Sequence, residues 1–191
     1  MDKIPGVEIY NLNIKNEINL DFFNKKENIN KIYNIDLEHR KAKTINIEED
    51  YLTLTKEIEK EISRCLLDYQ NKYSVDVNSY EGLTLVEYSE GGHFGSHVDN
   101  DRYYERLISL ALYLNDDYEG GEIEFTLFEE SVGKIKPCKN QLILFPSNYL
   151  YRHTAHTVKN GKKYMILSFF SKKEKDNNSY YINNNTKVFE F

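Results

Sequence analysis

The 191-residue chain has no tryptophan, two cysteines and no long apolar run, and each shortage excludes something. Cys65 and Cys138, far apart in the sequence, offer neither a disulfide framework nor a thiolate zinc site, and they point to a reducing compartment. No segment approaches the roughly 18 consecutive apolar residues of a membrane span. The opening MDKIPGVEIYNLNIKN lacks an apolar stretch of signal-peptide length, so the expectation is a soluble, cytoplasmic protein with no membrane partner. Basic residues are also in deficit, 25 against 31 acidic, and the net charge of −6 is spread along the chain. A nucleic-acid binder would show a basic stripe, so no nucleic acid is expected as a partner. What is abundant is aromatic: 16 tyrosines and 10 phenylalanines predict a ring-rich core.

A chain of this length supports one filled core, so residues 1–191 are read as a single domain. Its first part, about 1–75, starts with the apolar strand VEIYNL. The charged, Asn-rich FFNKKENINKIYNIDLEHRKAK follows, read as surface elements beside an edge strand. From Ile47 to Tyr73 the apolar residues Leu54, Ile58, Ile62, Cys65, Leu66, Tyr69 and Tyr73 recur at three and four, which predicts an amphipathic helix packed on a sheet. Over about 76–171 the period changes to two: LTLVEY, RLISLALYL, GEIEFTLF, NQLILFP and KKYMILSFF are short β-rich runs between turn signals, as in an antiparallel barrel or sandwich. The polar tail 172–191 is expected to be mobile in its middle and to dock its final VFEF as a strand.

Four of the five histidines fall in two short clusters, within YSEGGHFGSHVDND and YRHTAHTV. His97 and Asp99 are two apart, so on an extended segment both side chains reach the same side. On a helix they would diverge by about 200°, so a shared ion requires the strand. A third ligand is available at His153 or His156, beyond the separate strand NQLILFP. Two imidazoles and one carboxylate suit non-haem Fe(II), with positions left for O2 and a cosubstrate. Zinc is the rival, but a hydrolytic zinc site needs a general base such as the Glu of HExxH, and that motif is missing. A cosubstrate such as 2-oxoglutarate needs a cation at the far end of the pocket. In KKYMILSFF, Lys163 shares one face with Met165, Leu167 and Phe169, either snorkelling from a strand start or buried against an anion.

Taken in order, YSEGGHFGSHVDND, ALYLND, GGEIEF, LFPSNYLYRHTAHTV and NGKKYMILSFF resemble the Fe(II)- and 2-oxoglutarate-dependent dioxygenases of the prolyl 4-hydroxylase-like branch, from about Leu83 to Phe170. The resemblance implies a mainly β fold with flanking α, a double-stranded β-helix or jelly roll packed against N-terminal helices. It also implies the iron ligands His97, Asp99 and His153, with His156 as second choice. By the same resemblance Lys163 holds the distal carboxylate of 2-oxoglutarate, as a lysine does in the collagen-type hydroxylases, Tyr113 assists it and Tyr88 lines the pocket. A lysine is a point charge rather than a fork, so a neighbouring hydroxyl such as that of Tyr113 would orient the carboxylate. The implied cofactors are Fe(II), 2-oxoglutarate and O2, with ascorbate as reductant, and the coproducts are succinate and CO2. The implied partner is a proline-containing peptide or protein, held over the iron by loops around Ser89–Gly95 and Asn100–Glu105 that include His93, Tyr103 and Tyr104. Asn140 stands where the family often has a turn glycine, a substitution that asparagine's tolerance of positive φ allows. Three competing readings are a nucleic-acid dealkylase, a free-amino-acid hydroxylase and a non-catalytic jelly-roll module. The first lacks its paired arginines and the last would have lost a ligand or the cation.

Overall fold

A computed structural model describes residues 4–15, 20–47, 52–100, 105–172 and 187–188 of the chain. The five period-two runs become strands, and six further strands stand among them: β4 (Ser79–Tyr80), β5 (Leu83–Tyr88), β6 (His93–His97), β7 (Ile108–Tyr113), β8 (Glu119–Gly120) and β9 (Ile123–Leu127). They continue with β10 (Glu130–Ile135), β11 (Gln141–Pro146), β12 (Arg152–Ala155), β13 (Val158–Asn160) and β14 (Lys163–Ser171). Ahead of them come β1 (Glu8–Asn11), β2 (Tyr33–Leu37), β3 (Arg40–Ile47) and the helix α1 (Leu52–Tyr73), and behind them β15 (Lys187–Val188). One antiparallel sheet runs in the order β1-β11-β7-β14-β5-β3-β6-β12-β9-β10, with β2 beside β3, β4 beside β14 and β15 beside β4. Strands β13 and β8 form a separate pair.

Alternation puts each central strand between two cores. Leu85, Leu110, Leu112, Leu142, Leu144, Ile166 and Phe170 pack against Ile58, Ile62, Cys65, Leu66 and Tyr69 of α1. Their neighbours Val86, Tyr88, Ala111, Tyr113, Ile143, Phe145 and Met165 turn the other way and meet Ile123, Phe125 and Ile135 from the far half of the sheet. The sheet therefore curls over on itself, as the jelly-roll expectation requires, with a second apolar layer inside the curl. Each of these aliphatic side chains contributes about 1.5–3 kcal/mol by its burial. Helix α1 ends where Ser74 takes φ 51° and the Val75 N–H returns to the Gln70 carbonyl. The helix is tied to the chain's start by Tyr69, which donates to the Gly6 carbonyl at 2.7 Å, and by Lys72 on Glu8.

Three expectations change. The N-terminal part contributes one α-helix among the described residues, with two short 3-10 stretches at Leu20–Asn24 and Lys26–Lys31, not several helices. That helix starts at Leu52, because Ile47 closes β3. The stripe at Ile58, Ile62, Cys65, Leu66 and Tyr69 is buried as read, while Tyr73 is exposed and the side chain of Leu54 lies outside the described residues. The largest difference is HRKAKTINI, which is no surface element but the strand between β5 and β6. Its lysines mask an alternation in which Ala42 and Thr44 are buried. Asn140 does take φ 63° in its turn, as expected of an asparagine replacing glycine. Val188 of the final VFEF pairs with Ser79, whereas the middle of the tail and residues 189–191 lie outside the described residues.

Candidate metal centre and its cavity

His97 is the last residue of β6, and His153 stands opposite it in the register of β12. Asp99, two residues past the strand end, brings its carboxylate between them: Oδ1 is 3.4 Å from His97 Nε2 and Oδ2 is 3.7 Å from His153 Nε2. The three donor atoms lie within 4.8 Å of one another. Each imidazole is fixed by the main-chain carbonyl two residues before it. His97 Nδ1 is 2.8 Å from the Gly95 carbonyl and His153 Nδ1 is 3.0 Å from the Tyr151 carbonyl. With Nδ1–H donating to a carbonyl, the Nε2 lone pair faces the gap, the tautomer a metal requires. The ring of Phe94 stacks on that of His97 at 3.6 Å, and Phe145 meets His153 edge-on at 4.9 Å.

The carboxylate is braced too. Ser109 donates to Asp99 Oδ2 at 2.6 Å, and Ser147 lies 2.8 Å from the Ser109 hydroxyl. Arg106, ion-paired to Glu81, donates to the Asp99 main-chain carbonyl. Burial works to raise the Asp99 carboxyl, but His153, His97 and Ser109 outweigh it and hold it at about 2. Burial pushes His153 below its ordinary value, which keeps its lone pair available. An ionised carboxylate and two imidazoles presenting Nε2 fit a bound Fe(II).

The same cavity, about 560 Å³, is lined by His97, Asp99, His153, Tyr88, Tyr113 and Lys163, so all six residues singled out in the sequence meet in it. Lys163 is 1 % exposed. Its ammonium donates to the Gly121 carbonyl at 2.9 Å and lies 4.9 Å and 5.4 Å from the ring centres of Tyr88 and Tyr113. No carboxylate pairs with it among the described residues. Burial, seconded by Lys136 and opposed by Glu122, lowers its pKa to about 7. A buried amine without an anion is unfavourable, and a ligand carboxylate would relieve it. Tyr113 is wholly buried, and burial raises its phenol well above the ordinary value.

The remaining histidines stand elsewhere. His156, past the end of β12, sits 2.6 Å from Glu124 Oε2 and does not join the triad. His93 has both ring nitrogens 3.0 Å from carbonyls, those of Gly91 and Glu38, and braces two neighbouring turns. Tyr103 and Tyr104 lie outside the described residues. Sequence reading missed Ser109, whose signal was a lone hydroxyl on the small-residue face of ISLALY. Gly121 has φ +67°, and a Cβ there would fall 3.1 Å from Lys163 Cδ and 2.9 Å from Tyr118, so glycine lets the turn carry the carbonyl against the lysine.

Comparison with known proteins bears out the resemblance. Residues 83–171 match the family model of the 2OG-Fe(II) oxygenase superfamily. The chain is 31% identical over 114 residues to a PKHD-type hydroxylase of Prochlorococcus marinus, a stretch covering 58% of this chain and 47% of that protein. It thus spans about half the length of the curated relatives it matches. In fold it is similar to a prolyl hydroxylase of Trichoplax adhaerens solved with a hypoxia inducible factor peptide fragment, with TM-score 0.67, 20% identity and 86% and 83% of the two chains covered. A prolyl-4-hydroxylase of Pseudomonas putida gives TM-score 0.68 at 14% identity, over 88% and 93% of the chains. No helix of the described residues is long and apolar enough to cross a membrane.

Proposed function

We propose, from the premise that residues 83–171 are a segment of the 2OG-Fe(II) oxygenase superfamily, that the chain is a dioxygenase using Fe(II), 2-oxoglutarate and O2 to hydroxylate prolyl residues of a peptide or protein. Succinate and CO2 are the coproducts, and ascorbate keeps the metal reduced. The observation that carries the proposal is the coexistence, in one cavity, of a His-Asp-His cluster and a buried lysine with no carboxylate partner among the described residues. We assign His97, Asp99 and His153 to the metal, Lys163 with Tyr113 to the far carboxylate of 2-oxoglutarate, and Tyr88 to the wall between them. The catalytic core is then about 76–171, supported by about 1–75, in a cytoplasmic protein whose cysteines are both free.

When bound, Fe(II) and 2-oxoglutarate together activate O2 for insertion of one oxygen atom into a substrate C–H bond. The chain's own residues position and shield. The carbonyls of Gly95 and Tyr151 aim the two imidazoles, Ser109 orients the carboxylate, and Lys163 supplies a charge that strengthens as a ligand excludes water around it. Val86, Ile123, Phe125, Phe145 and Met165 make the interior apolar, which keeps bulk water from the reacting centre. The peptide bound to the Trichoplax neighbour supports a peptide substrate. The test is metal-dependent release of succinate from 2-oxoglutarate, together with mass spectrometry of proline-containing peptides. Hydroxylation of proline is expected. No 2-oxoglutarate turnover under any Fe(II) condition would sink the dioxygenase reading, and oxygen added to other residues would sink the prolyl assignment.

A further inference from the structure

The cavity holds a cation that the assignments above leave unused. Arg40 opens β3 opposite Phe94 of β6 and lines the cavity half-buried. Its guanidinium carbon lies 4.5 Å from the centre of the Phe94 ring, and that ring is the one stacked on His97. The buried Nε of Arg40 has no hydrogen-bond partner, and no carboxylate pairs with its guanidinium among the described residues. Arg106, which lines the same cavity, differs: it is forked onto Glu81 at 2.7 and 2.6 Å and bonded to the Asp99 carbonyl. Tyr88 lines the cavity together with Arg40, and its ring faces the Lys163 ammonium. Lys163 and Arg40 therefore share the cavity with Tyr88, one deep and one beside the metal cluster.

A half-buried guanidinium held on an aromatic face, with an Nε–H that no protein group satisfies, is arranged for a planar anion, because its fork matches a carboxylate with two parallel hydrogen bonds. The chain's net charge of −6 gives no general attraction for anions, so such a ligand would be recognised locally. Resting on the dioxygenase reading, in which Lys163 serves the cosubstrate, we infer that Arg40 binds a carboxylate of the substrate and makes acidic substrates the preferred class. An acidic side chain beside the target and a free C-terminus present the same group.

The test uses the full chain loaded with Mn(II) and 2-oxoglutarate, and N-acetylated proline peptides in four forms: C-terminal amide, free C-terminus, amide with Glu beside proline, and amide with Gln there. Calorimetry is expected to show a carboxylate form binding about tenfold more tightly than its neutral counterpart. Which pair differs identifies the source of the carboxylate. The ratio should fall to about one in Arg40→Gln and persist in part in Arg40→Lys, which keeps the charge. The ratio normalises each variant against itself, so reduced folding does not mimic the result. No preference in the wild type, a preference that survives Arg40→Gln, or a loss of 2-oxoglutarate affinity in Arg40→Gln larger than the loss of discrimination would each overturn the inference. Uncoupled 2-oxoglutarate turnover with Fe(II), measured without peptide, separates these outcomes from failure of the dioxygenase reading, whose loss would take the inference with it.

Discussion

The two faces of β5, β7, β11 and β14 share one backbone and have opposite characters. Toward α1 they present Leu85, Leu112, Leu144 and Ile166, an aliphatic layer in which the buried carboxylate of Glu87 is satisfied within the fold by the Tyr164 hydroxyl. Toward the interior of the curl the same strands present Tyr88, Ser109, Tyr113 and Lys163, with polar atoms in a region where burial makes each of them unfavourable unless partnered. A strand buried on both sides can thus divide its work, one face stabilising the fold and the other holding groups a fold would not choose for itself.

The sharpest way to test that division is to cut each face once. His97→Ala should abolish tight binding of Fe(II) or Co(II), read by the Co(II) absorption spectrum, while leaving the unfolding midpoint of the apo protein close to wild type. Leu112→Ala on the opposite face should do the reverse, lowering stability by about 2–5 kcal/mol with the metal spectrum retained in the folded fraction.

Lys163 gives the next largest effect and tests whether the inner face really opposes stability. Lys163→Met should weaken 2-oxoglutarate binding by about 100-fold or more, because it removes one partner of a buried ion pair, and should raise the thermal midpoint of the ligand-free protein. The same group sets a pH dependence. With its pKa lowered from 10.5 to about 7 in the fold, the unfolded chain binds more protons between those values. Stability of the ligand-free protein should therefore rise with pH from about 7 to 10.5, a slope that Lys163→Met removes. Binding a dicarboxylate restores the charge, so at pH 8 it should take up close to one proton and at pH 6 almost none, measured by calorimetry in buffers of different ionisation heat.

Ser109→Ala is expected to lower metal affinity by about tenfold with the spectrum shifted rather than lost, since the hydroxyl aims the carboxylate without touching the ion. Ser109→Thr should recover most of it. The smallest effect belongs to His156→Ala. Its pair with Glu124 is worth at most about 1 kcal/mol, and metal affinity should be unchanged, whereas a lost metal site would return the third ligand to His156.

Strands β5, β7, β9, β11 and β14 could be read from the sequence because alternation, turn residues and length agree there, and Lys163 lies on the face that alternation gave it. Strand β3 could not, since Lys41, turned to solvent, and Lys43, paired with Glu87, interrupt the apolar pattern of a strand with neighbours on both sides. The third histidine shows the limit in miniature. His153 and His156 are equivalent by distance along the chain, and only the pairing of β12 with β6 separates the one facing Asp99 from the one facing Glu124. Arg40 and Ser109 were out of reach for the same reason, each finding its role through a strand remote in sequence.

His97 and His153 are each steered by a main-chain carbonyl two residues earlier in the chain. The aim of these two side chains is written in the main chain, which mutation does not alter, rather than in neighbouring side chains, which it does. Residues around the cavity can then be exchanged over generations, and the taste for one substrate or another can drift, without the two imidazoles having to be re-sighted each time.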